Sequence, residues 1–271
     1  MSLIENAIRK AQQVGGAKPA EARRPRGRQQ SASEVGATAT PRVFRSLQLD
    51  PSVLARKQVY THLSDSAAVR AYKILRTRVL QRMQSNQWHS LAISATAPGE
   101  GKTLTAINLS IALAQDASTS VFLVDLDLQR PQVAGYLGMR ADKGIMDFLA
   151  GDAALEDICY NVGIERLTVI PNLQTVENSS EVLAAPRMQE LIEALAAERP
   201  RPIVVFDLPP LLASDDVLGF APNADCMLLV VGEGVGARAA LESAKETLAD
   251  MNLLGVVLNR TRERDDTPYY Y

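Results

Sequence analysis

From about residue 43 the chain alternates between two kinds of hydrophobic pattern. Helical spacing comes first, in DSAAVRAYKILRTRVLQRMQ (65–84), whose polar face carries Arg70, Lys73, Arg76, Arg78 and Arg82. Beyond it lie short runs that are apolar at nearly every position: LAISA (91–95), SVFLVD (120–125), RLTVI (166–170), PIVVFD (202–207), CMLLVV (226–231) and LLGVVLN (253–259). Helical segments separate them, at 102–115, 144–150, 180–198, 213–221 and 236–251. A strand that is apolar at consecutive positions is buried on both faces, as parallel strands are when helices cover the sheet above and below. The pattern predicts an α/β fold with a mostly parallel central sheet and helices on both faces.

The first 42 residues read differently. MSLIENAIRKAQQV sets Leu3, Ile4, Ala7, Ile8, Ala11 and Val14 on one helical face, and Ser2 and Glu5 have capping-box spacing. Such a helix packs on its own domain or docks to a partner. A membrane-surface role is disfavoured, because only Arg9 and Lys10 are basic and no large aromatic is present. Residues 15–42 are rich in Gly, Ala, Pro, Arg and Ser with no apolar period, which is linker composition. Arg23, Arg24, Arg26 and Arg28 could touch acidic lipid or a phosphorylated partner, although a solvated linker is the simpler reading. The expected organisation is an amphipathic helix (1–14), a basic linker (15–42), a folded domain (43–262) and a C-terminal tail (263–271).

Composition narrows the function. With 46% hydrophobic and 22% charged residues the chain is an ordinary globular one, and its formal net charge of -2 argues against a nucleic-acid partner. Cys159 and Cys226 sit in apolar surroundings and read as buried thiols in a reducing compartment. Two histidines, His62 and His89, without clustered thiols make a zinc site improbable. No signal peptide or run approaching the ~20 residues of a membrane span is present. The expectation is a cytoplasmic protein that meets a membrane only through a partner or a surface helix.

The strongest chemistry lies in LAISATAPGEGKTLTAINLSIALA. A strand ends at Ala95, a small loop follows, and a helix opens at Lys102. Gly99 and Gly101 let the backbone present N–H groups to anionic oxygens, and the helix N-terminus adds its positive dipole end. Pro98, Gly99, Glu100, Gly101, Lys102, Thr103 and Leu104 form the candidate nucleotide-binding segment, with Lys102 reaching the β- and γ-phosphates and Thr103 offering a hydroxyl to Mg²⁺. The pattern GxxxxGK[ST] is matched except at its first glycine, where Thr96 stands. ATP or GTP should bind here with Mg²⁺.

Two strand ends add carboxylates. Asp125 and Asp127, two residues apart on an extended segment, can both face the phosphates. Asp207 ends another strand, a usual place for a Mg²⁺-organising acid. Together they read as a metal-assisted phosphoryl-transfer site with Thr103, Asp127 and Asp207 about the metal. Lys102, Asp125 and Asp127 are the catalytic candidates, and Asp125 is the one to orient or deprotonate an attacking hydroxyl.

APGEGKT, VFLVDLDLQRP and IVVFDLPPLL resemble the Walker A, A′ and B motifs of the bacterial tyrosine kinases, the P-loop autokinases of capsule and exopolysaccharide systems. The likeness covers roughly residues 65–271, and the short N-terminal helix with its linker resembles the exosortase-associated branch. It implies a P-loop NTPase fold and ATP with Mg²⁺. It further implies a membrane polysaccharide co-polymerase as activator and a phosphotyrosine phosphatase as counterpart. By the same likeness, Asn259 matches an asparagine that contacts adenine in related ATPases; on sequence alone it is equally a turn residue. Tyr269, Tyr270 and Tyr271, the last three residues, match a tyrosine cluster that enters a neighbouring subunit's active site and is phosphorylated there.

The chain departs from that pattern at two places. Gln129 stands where the family's A′ motif usually has arginine, with Arg130 next. Arg70, Lys73 and Arg76 stand where many members carry E-x-x-R-x-x-R, so the glutamate of that ring-forming pair is absent. Two other functions share the fold: a positioning ATPase of the plasmid-partition and division-site type, and a non-catalytic nucleotide-binding regulator of polysaccharide export. Many positioning ATPases carry a lysine where Ala97 stands here, which argues against the former.

Overall fold

Eight strands form one sheet among the described residues: β1 (Arg45–Ser46), β2 (Ser90–Ala95), β3 (Val121–Asp125), β4 (Tyr160–Asn161), β5 (Leu167–Ile170), β6 (Ile203–Asp207), β7 (Cys226–Gly232) and β8 (Leu253–Asn259). The computed structural model describes residues 44–61, 66–234, 237–249 and 251–261; the 1–14 helix, the 15–42 linker and the 263–271 tail with Tyr269, Tyr270 and Tyr271 lie outside them. The strand order is β1-β4-β5-β3-β6-β2-β7-β8, and every neighbouring pair is parallel except β4 with β5. All six sequence-derived strands are present.

The helices are α1 (Pro51–Arg56), α2 (Ala67–Asn86), α3 (Lys102–Ala114), α4 (Val133–Leu137), α5 (Ile145–Ala150), α6 (Leu155–Ile158), α7 (Ser179–Leu183), α8 (Pro186–Ala197), α9 (Asp216–Phe220) and α10 (Ala237–Thr247). The segment expected as one helix over 180–198 is broken between α7 and α8, because Pro186 has no N–H to donate and takes the first helical position of a new helix. The stretch 213–221 gives only α9, followed by a 3₁₀ turn at Ala221–Asn223 that again contains a proline.

Strand alternation sorts the core into two layers. Leu91, Ile93, Leu123, Val205, Leu228 and Val230 face one cluster, with Leu54 of α1, Val79 and Met83 of α2, Ile107 and Ile111 of α3 and Leu137 of α4. Ala92, Phe122, Val124, Val204, Phe206, Met227 and Leu229 face the other, with Phe148 of α5, Met188 and Leu191 of α8, Phe220 of α9 and Ala244 of α10. This two-sided burial is what the continuous apolar runs required. Edge strand β8 departs from it: Val256 and Leu258 are exposed.

Helix α2 is held by its own basic residues. Ser66 caps it, its hydroxyl accepting from Val69 N at 3.2 Å. Arg76 donates to the Ala112 carbonyl of α3 at 3.4 Å, and Arg82 donates to the Leu254 carbonyl of β8. Two of the five cations on the basic face read from the sequence thus fasten the helix to the domain.

Candidate functional site

Parallel strands deliver their following loops to one edge of the sheet, and ligands bind where neighbouring loops diverge. The loop after β2 is the phosphate loop. Its glycines adopt left-handed backbone, Gly99 at φ +82° and Gly101 at φ +92°, and Gly101 caps α3. The first amide to bond back within the helix is that of Thr105, to the Gly101 carbonyl at 2.9 Å. The N–H groups of Lys102, Thr103 and Leu104 therefore lack an intrahelical acceptor and suit an anion.

Thr96 occupies the first-glycine position without strain. It is fully buried, and its hydroxyl donates to the Glu100 carboxylate, with Oε distances of 2.7 and 2.8 Å; Ala97 N donates to the same group at 2.8 Å. Glu100 thereby staples the loop from inside.

Registration brings the acids together. Asp125 and Asp207 are direct neighbours across β3 and β6. Lys102 Nζ lies 2.8 Å from Asp127 Oδ2 and 3.2 Å from Asp207 Oδ1. The Thr103 hydroxyl donates to Asp207 Oδ2 at 2.7 Å. Burial disfavours the Lys102 ammonium, but Asp207 and then Asp127 outweigh it and hold its pKa above the ordinary value. Burial pushes the Asp207 carboxyl up despite Lys102 and Thr103. Burial, then the charge of Asp207, pushes Asp125 well above the carboxylate range.

Lys102, Thr103 and Asp127 open on a cleft of ≈ 280 Å³ that Pro98, Gly99 and Gly101 also line, with Gln129, Arg130, Tyr136 and Arg260 on its walls. The carboxylate–hydroxyl donor set is all oxygen and suits a hard cation. Among the described residues no three His, Cys, Asp or Glu converge into a cage. Mg²⁺ needs none, since it keeps waters and takes substrate phosphates. The residues present fit Mg²⁺ with a nucleotide.

Five expected site residues sit elsewhere than on the lining of that cleft. Asp207 is fully buried behind Lys102 and Thr103 and reaches the cleft only through them. Asp125 is fully enclosed: its carboxylate accepts from the backbone N–H groups of Asp127 (3.3 Å), Gln132 (3.1 Å) and Val133 (3.0 Å), so only Asp127 of the pair faces the cleft. Extended geometry fails to keep the two parallel, because β3 ends at Asp125 and the chain turns there. Glu100 points back into its own loop. Leu104 packs onto the core, leaving only its backbone N–H to the helix start. Asn259 ends β8 and donates from Nδ2 to the Glu100 carbonyl at 2.8 Å.

The cleft residues Tyr136 and Arg260 were not singled out from sequence; Arg260, at φ +59° directly after Asn259, was signalled only by its place at a strand end. Cys159 and Cys226 are buried and form no disulfide, and burial, then Asp225, pushes the Cys226 thiol up to about 12, which keeps it unreactive. No helix among the described residues is long and apolar enough to cross a membrane.

Comparison with known proteins agrees with this geometry. The CobQ/CobB/MinD/ParA nucleotide binding domain family matches residues 91–270. Tyrosine-protein kinase YwqD of Bacillus subtilis (strain 168) is 31% identical over 203 residues, which are 74% of this chain and 84% of that protein. Tyrosine-protein kinase etk of Escherichia coli (strain K12) is 29% identical over 207 residues, 76% of this chain but only 28% of that longer protein. Among solved structures, the kinase domain of Escherichia coli tyrosine kinase ETK aligns with a TM-score of 0.67 at 26% identity, covering 84% of this chain and 94% of that one. The septum site-determining protein MinD of Pyrococcus horikoshii OT3, complexed with Mg-ADP, aligns with a TM-score of 0.54 at 25% identity, covering 67% of this chain and 74% of that one.

Proposed function

Because the chain belongs to the CobQ/CobB/MinD/ParA nucleotide-binding domain family and, within it, to the bacterial tyrosine-protein kinases, we propose that it transfers the γ-phosphoryl group of ATP to tyrosine hydroxyls, with Tyr269, Tyr270 and Tyr271 of a neighbouring copy as acceptors. The observation that carries this reading is the convergence of Lys102, Thr103 and Asp127 on one phosphate-loop cleft, with Asp207 buried directly behind them and Lys102 within 3.2 Å of both acids.

Each group then has a task. The N–H groups opening α3 and the Lys102 ammonium bind the phosphates. Thr103, Asp127 and Asp207 would hold Mg²⁺, which would supply charge neutralisation for the phosphates. Arg130 and Arg260 add positive charge at the cleft wall. The phenolic oxygen bonds to the γ-phosphorus as the bond to the β-phosphate oxygen breaks and ADP leaves. The phenolic proton passes to the Asp125–Asp127 pair, of which Asp127 opens on the cleft. Transfer of this kind depends on positioning and electrostatics more than on a strong base.

The same reading extends to regulation of exopolysaccharide polymerisation and export, with a membrane polysaccharide co-polymerase recruiting and activating the kinase and a phosphotyrosine phosphatase resetting the tail. Each phosphate would add about -1.5 to -2 charges to a segment of nine residues (263–271). The test is incubation with Mg²⁺ and ATP followed by peptide mapping. Phosphotyrosine on Tyr269, Tyr270 or Tyr271 that is absent from Lys102→Met supports the reading; nucleotide-driven dimerisation with hydrolysis and no phosphotyrosine would replace it with a positioning ATPase.

A further inference from the structure

Gln129 lines the cleft wall, and its surroundings fix which way its amide points. Ser179, on α7, is buried and its hydroxyl lies 2.8 Å from Asp216 Oδ1 on α9. A carboxylate can only accept, so the Ser179 proton is committed to Asp216. Ser179 Oγ can then only accept from the Gln129 amide 3.0 Å away. The same amide atom lies 3.3 Å from Asp216 Oδ2 and 3.3 Å from Ser214 Oγ. It must therefore be the NH₂ group, since a carbonyl oxygen there would face a buried carboxylate. The carbonyl Oε1 is left without a protein partner among the described residues, on a side chain that lines the same cleft as Lys102, Thr103 and Asp127.

We infer that Gln129 Oε1 is the hydrogen-bond acceptor that positions the hydroxyl of the incoming tyrosine before transfer, the proton passing on to Asp127 only as the bond to phosphorus forms, with Ser179 and Asp216 as the positioning residues that hold Gln129 in that sense. An arginine at this place has donors only and could not do this. A phenol at neutral pH carries its proton and needs an acceptor to orient its lone pair toward phosphorus. The inference rests on the kinase reading and adds to it a residue that recognises the acceptor rather than the nucleotide.

The test uses full-length kinase and the full-length Lys102→Met chain as acceptor, with Mg²⁺ and ATP. Gln129→Ala and Gln129→Arg are each expected to lower the rate of phosphotyrosine formation about tenfold at saturating acceptor, with the Kd for ATP unchanged. Ser179→Ala, which leaves the cleft side chains in place, is expected to lower it about threefold with the same unchanged Kd. Equal losses in phosphotransfer and in ATP affinity would mean that the network only holds the fold, and would overturn the inference. A wild-type rate in Gln129→Arg would overturn it as well. Phosphotyrosine from the wild type together with an unaffected Gln129→Ala sinks this inference alone, whereas no phosphotyrosine from the wild type sinks the kinase reading and this with it.

Discussion

Asn259 Nδ2 donates to the backbone carbonyl of Glu100 at 2.8 Å, and a Cβ placed on Gly101 would overlap the same Nδ2. The end of β8 is thus clamped directly over the turn that opens the phosphate loop onto α3. The glycine is required twice, by its φ of +92° and by the clamp.

Removing the clamp should weaken nucleotide binding without changing base preference. Asn259→Ala is expected to raise the Kd for ATP and for GTP by a similar factor, about three- to tenfold, because it frees the Glu100 carbonyl and loosens the loop. Titration with both nucleotides distinguishes the two roles open to Asn259. A loss confined to ATP would identify an adenine contact instead.

Gly101→Ala should be worse. The new methyl group forces a non-glycine residue into left-handed backbone and pushes Asn259 off Glu100. The expected cost is about 1–3 kcal/mol in unfolding free energy, together with loss of ATP binding. Gly99→Ala is the control: φ is +82° but nothing lies within 4 Å of its Cβ, so only the backbone part of the penalty remains. Denaturant unfolding of the two variants should separate them, with Gly101→Ala the less stable.

Lys102→Met should destabilise as well as inactivate. Its pKa is raised above the ordinary value, so its contribution to stability is complete at neutral pH and is lost only as pH rises through that raised value. The methionine leaves Asp127 and Asp207 without their shared cation. Breaking a buried pair in this way costs about 3 kcal/mol. The deficit in Tm should be largest near pH 7 to 8 and should narrow in acid, where the raised Asp207 carboxyl takes up a proton. A deficit that stays constant with pH would mean that lost packing, not charge, is the cause.

The sheet was legible because its physics is local. Five of the six longer strands are buried on both faces or nearly so, and continuous apolar runs report that directly; the edge strand β8 carries the same kind of run with Val256 and Leu258 exposed. The two-residue strands β1 and β4 carry no period to read, and their pairing depends on where Cys159 and Asn161 carbonyls meet the Arg45 and Leu47 amides. Lys102, Thr103, Asp127 and Asp207 were legible because strand ends and loop spacing place them. The enclosure of Asp125 was not, since it depends on the amides of Gln132 and Val133 folding back over its carboxylate. The Gln129, Ser179 and Asp216 network joins residues 37 to 87 positions apart and has no local signature.

Asp125 makes the most discriminating pH prediction. Its carboxyl is fully buried and its pKa stands well above the unfolded value of about 3.9, through burial first and the charge of Asp207 second. A carboxyl raised on folding contributes stability that is complete below the unfolded pKa and is lost as pH rises through the folded one. The wild type should therefore lose stability relative to Asp125→Asn between about pH 4 and neutrality. Asparagine keeps an oxygen for the Gln132 and Val133 amides, but turns an NH₂ group toward the Asp127 N–H, a pH-independent penalty of about 1 kcal/mol. Thermal unfolding of both proteins across that range should show curves that draw together, or cross, as pH rises. Parallel curves would mean that Asp125 stays ionised in the folded protein, braced by its three amides. Asp127→Asn, by contrast, removes the acid that faces Lys102 across the cleft and should abolish phosphotyrosine formation at any pH in that range. If Asp125→Asn proves equally inactive while remaining stable, the proton acceptor is the enclosed carboxylate, and the turn over 126–133 must open to admit the phenol.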